Sequence, residues 1–302
     1  MSNTGFSFPV IHDAIDIMTP FLLAGIGGLV TELSGMLNIA LEGLILLGAF
    51  FSVIFASITG SLFLGLLFGV ITTMFIAFIF GAITIYLKAN EFITAIAVNL
   101  LATGLTAVIS FHFFGTKGNL VFDNFARLPV FDLPALDSIP IIGDIFLGHN
   151  IIVYAGWLLV FVFWFVLYKT PYGLRLRGVG LNFKAMSALG LNPKKYRLEA
   201  IVISGFTCAL AGASLSLNIG AYVPNISSGR GWIALVVIYL GGRTPLGILI
   251  ASFIFALAES FSNYAQGFIN IPADFILAFP YIITVVALVL VSAIKKRQQK
   301  IS

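Results

Sequence analysis

Nine stretches of this chain carry almost no charge: residues 14–33, 38–58, 61–87, 90–114, 150–168, 198–218, 232–242, 244–262 and 275–294. Several reach the roughly 18 residues that license a membrane-spanning helix. A soluble core cannot conceal that much apolar surface. Of the 302 residues, 60% are hydrophobic and only 9% are charged, against about 25% charged in a soluble domain. The runs are continuously apolar rather than alternating, which selects helices over a β-barrel. The predicted fold is all-α: one polytopic transmembrane bundle of about 8-10 spans, occupying residues 1–302 as a single domain. The 61–87 run is long for one crossing and predicts a tilt or bend. The 232–242 run is too short for a full crossing and predicts a half-helix, or a helix that extends back toward Gly220.

Charge predicts the orientation. Residues 170–197 hold Arg175, Arg177, Lys184, Lys194, Lys195 and Arg197 and no acidic residue. Basic loops stay on the cytoplasmic side, so the loop at 169–197 is predicted there, with the tail Lys295, Lys296, Arg297 and Lys300. Residues 115–149 carry Asp123, Asp132, Asp137 and Asp144 against Lys117 and Arg127, with Pro129, Pro134 and Pro140. That segment is predicted as the extracytoplasmic loop. Two cytoplasmic ends need an even number of crossings between them. Four fit if 232–242 counts and Arg243 sits in a tight cytoplasmic turn; Lys88 then marks another such turn and the N-terminus lies outside. No basic n-region precedes the first apolar run, so no cleavable signal peptide is expected.

The candidate chemistry is sparse. Ionisable and amide groups at membrane depth are the places to look, because an unpaired carboxylate there is costly. Asn38, Glu42, Asn99, Glu259 and Asn263 are the candidates for a solute path. A bland reading stands beside each: the two glutamates at the membrane surface, Asn99 as a helix-to-helix hydrogen bond. The basic loop is rich in small residues as well as charge, which is more than orientation needs. Gly178, Gly180, Asn182, Ala185, Ala188 and Gly190 are therefore candidates for a surface that seats a cytoplasmic partner. Gly65 with Gly69, and Gly205 with Ala209 and Ala213, are predicted helix contacts.

Other classes find little support. His12, His112 and His149 read as scattered, two of them outside the spans, and the single Cys208 permits no intrachain disulfide. No metal or cofactor site is predicted. There is no HExxH, no GxSxG and no GxxxxGK[ST], so no zinc protease of that type, no nucleophile elbow and no P-loop ATPase within the chain. The net charge of +4 is explained by membrane orientation, and no nucleic-acid partner is implied.

Three segments carry a resemblance to a known family. Residues 35–50 read GMLNIALEGLILLGAF, residues 178–197 read GVGLNFKAMSALGLNPKKYR, and SGFTCALAGA at 204–213 is followed by GGRTPLG at 241–247. These resemble the permease subunits of bacterial ATP-binding-cassette (ABC) importers for simple sugars, nucleosides and branched-chain amino acids, in particular the nucleoside branch. Ala40 stands where that family usually has Gly, and Leu181, Phe183 and Met186 replace its usual Glu, Pro and Ala. The resemblance implies a non-catalytic, multi-pass subunit in the bacterial cytoplasmic membrane. It also implies cytoplasmic ABC ATPase subunits, a second permease (self or sibling), and an extracytoplasmic substrate-binding protein. A nucleoside is the expected solute. A simple sugar, riboflavin or a branched-chain amino acid stays open within the class, and an ion-driven secondary transporter outside it, although no clear internal repeat supports the latter.

Overall fold

The computed structural model describes residues 7–122, 127–130 and 147–266. Ten helices run through them: α1 (Ser7–Leu33), α2 (Leu41–Thr59), α3 (Leu62–Ile85), α4 (Glu91–Phe114), α5 (Ile151–Lys169), α6 (Pro171–Leu181), α7 (Phe183–Ala188), α8 (Pro193–Ile219), α9 (Arg230–Leu240) and α10 (Pro245–Ala265). Among the described residues, α1 to α5, α8 and α10 are seven helices long and apolar enough to cross a membrane. The predicted span at 275–294, the basic tail and Asp123, Asp132, Asp137 and Asp144 lie outside the described residues.

Local chemistry sets the helix ends. Thr170, Asn192 and Thr244 each precede a proline, and each side chain accepts a backbone N–H of the first turn that follows. Proline fits there because its missing N–H has no partner in the first turn anyway. Asn90 and Asn150 cap α4 and α5 in the same way. Two predicted boundaries move as a result. α8 begins at Pro193 rather than 198, so Lys194, Lys195 and Arg197 belong to its opening turns. The predicted 38–58 span is helical only from Leu41; residues 34–40 form an irregular connection, turned by Gly35 at φ +79°. At the other end of the chain's first run, α1 reaches back to Ser7.

α1, α2 and α8 form the centre. In the most apolar window of α1, 89% of residues are buried, against 22% in α4. In lipid, helices gain little from hiding apolar area and associate through close packing. The small residues serve that end. A Cβ on Gly65 or Gly69 would run into Ala56 or Ser52 of α2, and one on Gly48 would lie 2.6 Å from the Ala209 Cα on α8. A Cβ on Gly205 would lie 2.6 Å from the Ala77 Cβ of α3. α3, α4 and α5 wrap this centre and turn large side chains outward, among them Phe63, Phe75, Phe111, Phe161 and Phe165.

The all-α fold holds, with one short strand pair added to it. β1 (Leu120–Val121) pairs antiparallel with β2 (Ala221–Tyr222), Leu120 opposite Tyr222. This pair ties the segment after α4 to the segment after α8. The opposite end of the bundle holds Lys88, Lys169, α6, α7 and Arg243 and is called the basic end below.

Candidate translocation path and coupling surface

α9 is a half-helix. Its 11 residues span about 16 Å at 1.5 Å per residue, roughly half of a bilayer's hydrocarbon core. Its C-terminal turn lies at the basic end, where Arg243 pairs with Glu32 at 2.9 Å and the Tyr239 hydroxyl donates to Glu32 Oε2 at 3.1 Å. Arg243 occupies a left-handed turn at φ +57°, matching the tight turn predicted there. The N-terminus of α9 therefore opens at mid-depth, and of the two readings of 232–242 the half-helix is the one observed.

Glu42 sits at that N-terminus. Gly229 N–H donates to its Oε1 at 2.8 Å and Gly231 N–H to its Oε2 at 2.7 Å. Glu42 also lies in the first turn of its own helix, α2. One carboxylate thus faces two helix N-termini, where the partial positive charge of each favours an anion. The tight approach requires Gly231, since a Cβ there would collide with the Glu42 backbone.

The two asparagines serve the same junction. Asn99 of α4 accepts from Gly43 N–H at 2.8 Å and donates to the Ile39 carbonyl at 3.1 Å. Asn38 accepts from Ala40 N–H at 3.0 Å and donates to Ser204 Oγ of α8 at 2.8 Å. Broken helix ends expose backbone donors that lipid cannot satisfy. Asn38, Glu42 and Asn99 supply the missing partners and lock α2, α4, α8 and α9 together at mid-depth. Asn99 thus makes helix-to-helix hydrogen bonds to the start of α2.

Glu259 of α10 pairs with Arg230, the first residue of α9, at 3.0 Å. The side chains are only 22% and 19% exposed, so this is an internal ion pair rather than a surface one. Arg230 belongs to this group, although sequence reading did not select it. Its signal was available: a lone arginine opening a short apolar helix needs a carboxylate nearby. Asn263 stands one turn beyond Glu259 and is exposed; no contact joins it to the Glu42 group.

The coupling candidates gather at the basic end. Asn182 caps α7 by accepting Ala185 N–H at 3.0 Å, and Gly190 ends the turn at φ +77°. No residue of α7 is buried; Ala185, Ala188 and Gly190 are exposed, flanked by Leu181 and Leu189. Gly178 lies against Met186, and Gly180 packs on the Leu33 carbonyl. Arg197 then links this surface inward. Its guanidinium lies 5.0 Å over the Phe183 ring and donates to the Ser34 carbonyl at 3.2 Å and to Gly35 O at 3.4 Å. Those carbonyls begin the connection that leads to Asn38 and Glu42. Burial, with the Glu199 carboxylate of α8 beside it, holds the Tyr172 phenol of α6 above the ordinary range.

Residues 11–289 match the family described as branched-chain amino acid transport system / permease component. Relatives match over most of their length. The nucleoside ABC transporter permease protein NupC of Lactococcus lactis is 30% identical over 93% of this chain and 91% of its own. The guanosine ABC transporter permease protein NupQ of Bacillus subtilis is 34% identical over 89% and 87%. The putative glucose ABC transporter permease protein TsgC13 of Haloferax volcanii is 31% identical over 86% and 79%. Permeases of this kind work with a separate ATPase and a substrate-binding protein. The chain belongs to this permease family: it is a multi-pass, non-catalytic membrane subunit of an ABC importer, with seven apolar helices of spanning length among the described residues.

Proposed function

We propose that this subunit carries a nucleoside into the cell by alternating access. The observation that carries the reading is the near full-length similarity to relatives named for nucleoside and guanosine transport. A neutral, hydrogen-bonding solute suits the interior, where the charges at mid-depth are already paired: Glu42 with two backbone N–H groups and Arg230 with Glu259. Asn38, Glu42, Asn99, Glu259 and Asn263 flank the proposed path, the first three by fixing its wall.

In this reading residues 1–302 form one permease domain. The loop at 169–197 faces the cytoplasm, and the 115–149 segment faces the substrate-binding protein. The exposed α7 seats in a groove of the ABC ATPase. A second permease, self or sibling, completes the path. Closure of the ATPase pair pushes α7; Arg197 passes the displacement to Ser34 and Gly35, and the α2–α9 junction moves with them. A second reading, a simple sugar such as glucose as the solute, rests on the similarity to TsgC13.

The test is uptake of radiolabelled guanosine, adenosine, glucose, ribose, riboflavin and leucine in cells with and without this chain. Loss of nucleoside uptake on deletion, restored by the intact chain, is the expected result. Loss of glucose, ribose, riboflavin or leucine uptake alone overturns the nucleoside and keeps the importer.

A further inference from the structure

Two histidines that are far apart in sequence meet at the end of the bundle opposite the basic face. His12 and Asp16 come from α1, and His149 from the residue pair just before α5. One nitrogen of each imidazole and one oxygen of Asp16 lie within 4.8 Å of one another. His149 Nδ1–H donates to Asp16 Oδ1 at 2.8 Å, a proton that a bound cation would displace, and the His149 side chain is fully buried. From sequence the histidines are expected to be scattered, with His12 and His149 outside the spans; His149 does lie outside, just before α5, but α1 starts at Ser7 and so holds His12 on the same face as Asp16, one turn away.

We propose that His12, Asp16 and His149 bind one divalent transition-metal ion of the Zn2+ class. The ligand chemistry fits. Imidazole and carboxylate together suit such ions, and three protein ligands leave a position for water or a fourth donor. The surrounding bonds fit too. His12 Nε2 is 3.1 Å from the Leu147 carbonyl. A carbonyl only accepts, so Nε2 carries the proton and Nδ1 keeps its lone pair. A backbone carbonyl holding the second ring nitrogen is the usual support of a ligating histidine. Asp13 adds a second carboxylate 3.8 Å from His12 Nδ1, while its other oxygen accepts from the Tyr264 hydroxyl at 2.8 Å. Two carboxylates offset the charge of the cation. The His12 and His149 rings are stacked at 4.2 Å with 22° between planes, so one ring must swing for both lone pairs to converge. His12, with 29% of its side chain exposed, is the ring that would turn, pivoting on its Nε2–H bond to the Leu147 carbonyl. Bound metal would clamp α1 to the segment before α5 and, through Asp13 and Tyr264, stiffen its contact with α10.

The test uses the full chain, purified in detergent without a histidine tag and stripped with a chelator. Co2+ is titrated while its visible bands are recorded, followed by displacement with Zn2+ and a thermal scan. One Co2+ per chain, displaced by Zn2+, with Zn2+ raising the melting temperature, is expected. His12→Gln and Asp16→Asn should each weaken binding at least about tenfold and remove the thermal shift. Both substituted side chains are partly exposed, so these variants are expected to fold; His112→Ala on α4 should bind as the parent does. The proposal is overturned if the stripped chain binds no Co2+, or if His12→Gln and Asp16→Asn bind it unchanged.

Discussion

Replacing Glu42 by glutamine tests whether its carboxylate is chiefly a cap for α9. The native group accepts two N–H donors at 2.8 and 2.7 Å. A hydrogen bond to a charged group contributes about 1.5–3 kcal/mol, and a buried donor left unpaired costs about 1–3 kcal/mol. The amide retains one acceptor oxygen and turns an NH2 toward the other donor. It also forfeits the charge at two helix N-termini, where an anion contributes about 0.3–1 kcal/mol each. The sum is a loss of about 3 kcal/mol. At about 2–4 °C per kcal/mol for a fold of 150–250 residues, the melting temperature should drop by roughly 6–12 °C. Tryptophan fluorescence in detergent reads this directly, since Trp232 lies within α9. Glu42→Asp should also destabilise, because the shorter side chain cannot reach both donors. A Glu42→Gln melting temperature equal to the parent's would refute the cap, and lost uptake at unchanged stability would assign the carboxylate to the solute instead.

Other perturbations probe the remaining joints. Arg230→Met or Glu259→Gln alone strands an internal charge and should cost about 3 kcal/mol, the low end of the range for buried pairs; the reversed pair Arg230→Glu with Glu259→Arg should recover part of it in the same melting assay. Gly48→Leu should block the α2–α8 contact, where a Cβ already lies 2.6 Å from Ala209 Cα; monodisperse protein at parental yield would contradict the packing. Arg197→Lys removes the planar group that spans Phe183 and two carbonyls, so uptake should fall while the ATPase still co-purifies. Ala185→Trp with Ala188→Trp changes only exposed positions of α7, so the chain should fold normally yet lose ATPase co-purification; retained co-purification with normal stimulated hydrolysis would sink the role of α7.

Much of this fold is written in composition, and the reasons are local. Continuous apolar runs can only become helices in lipid, so the long spans are readable, and Thr–Pro and Asn–Pro pairs signal three of the helix starts. The small-residue positions are readable because lipid leaves packing as the main means of association. The junction at mid-depth is harder. Glu42 and Asn99 stand out as costly in an apolar run, but only the tertiary arrangement tells whether backbone or solute satisfies them. Glu42 and Gly231 are bonded across a sequence separation of 189 residues, and no periodicity encodes that. Arg230 escaped notice because it resembles an ordinary basic residue at a span end. The His12–His149 meeting depends on residues 147–149 lying against α1, which hydropathy does not record.

The central claim is that this chain forms the membrane path of an ATP-driven nucleoside importer. The most direct measurement reconstitutes it in proteoliposomes with its ATPase, partner permease and substrate-binding protein, and follows labelled guanosine. The expected result is accumulation that requires ATP and the binding protein and that is lost when α7 carries Ala185→Trp with Ala188→Trp. Accumulation driven by an ion gradient without ATP, or ATP-driven accumulation of glucose with none of guanosine, would contradict it.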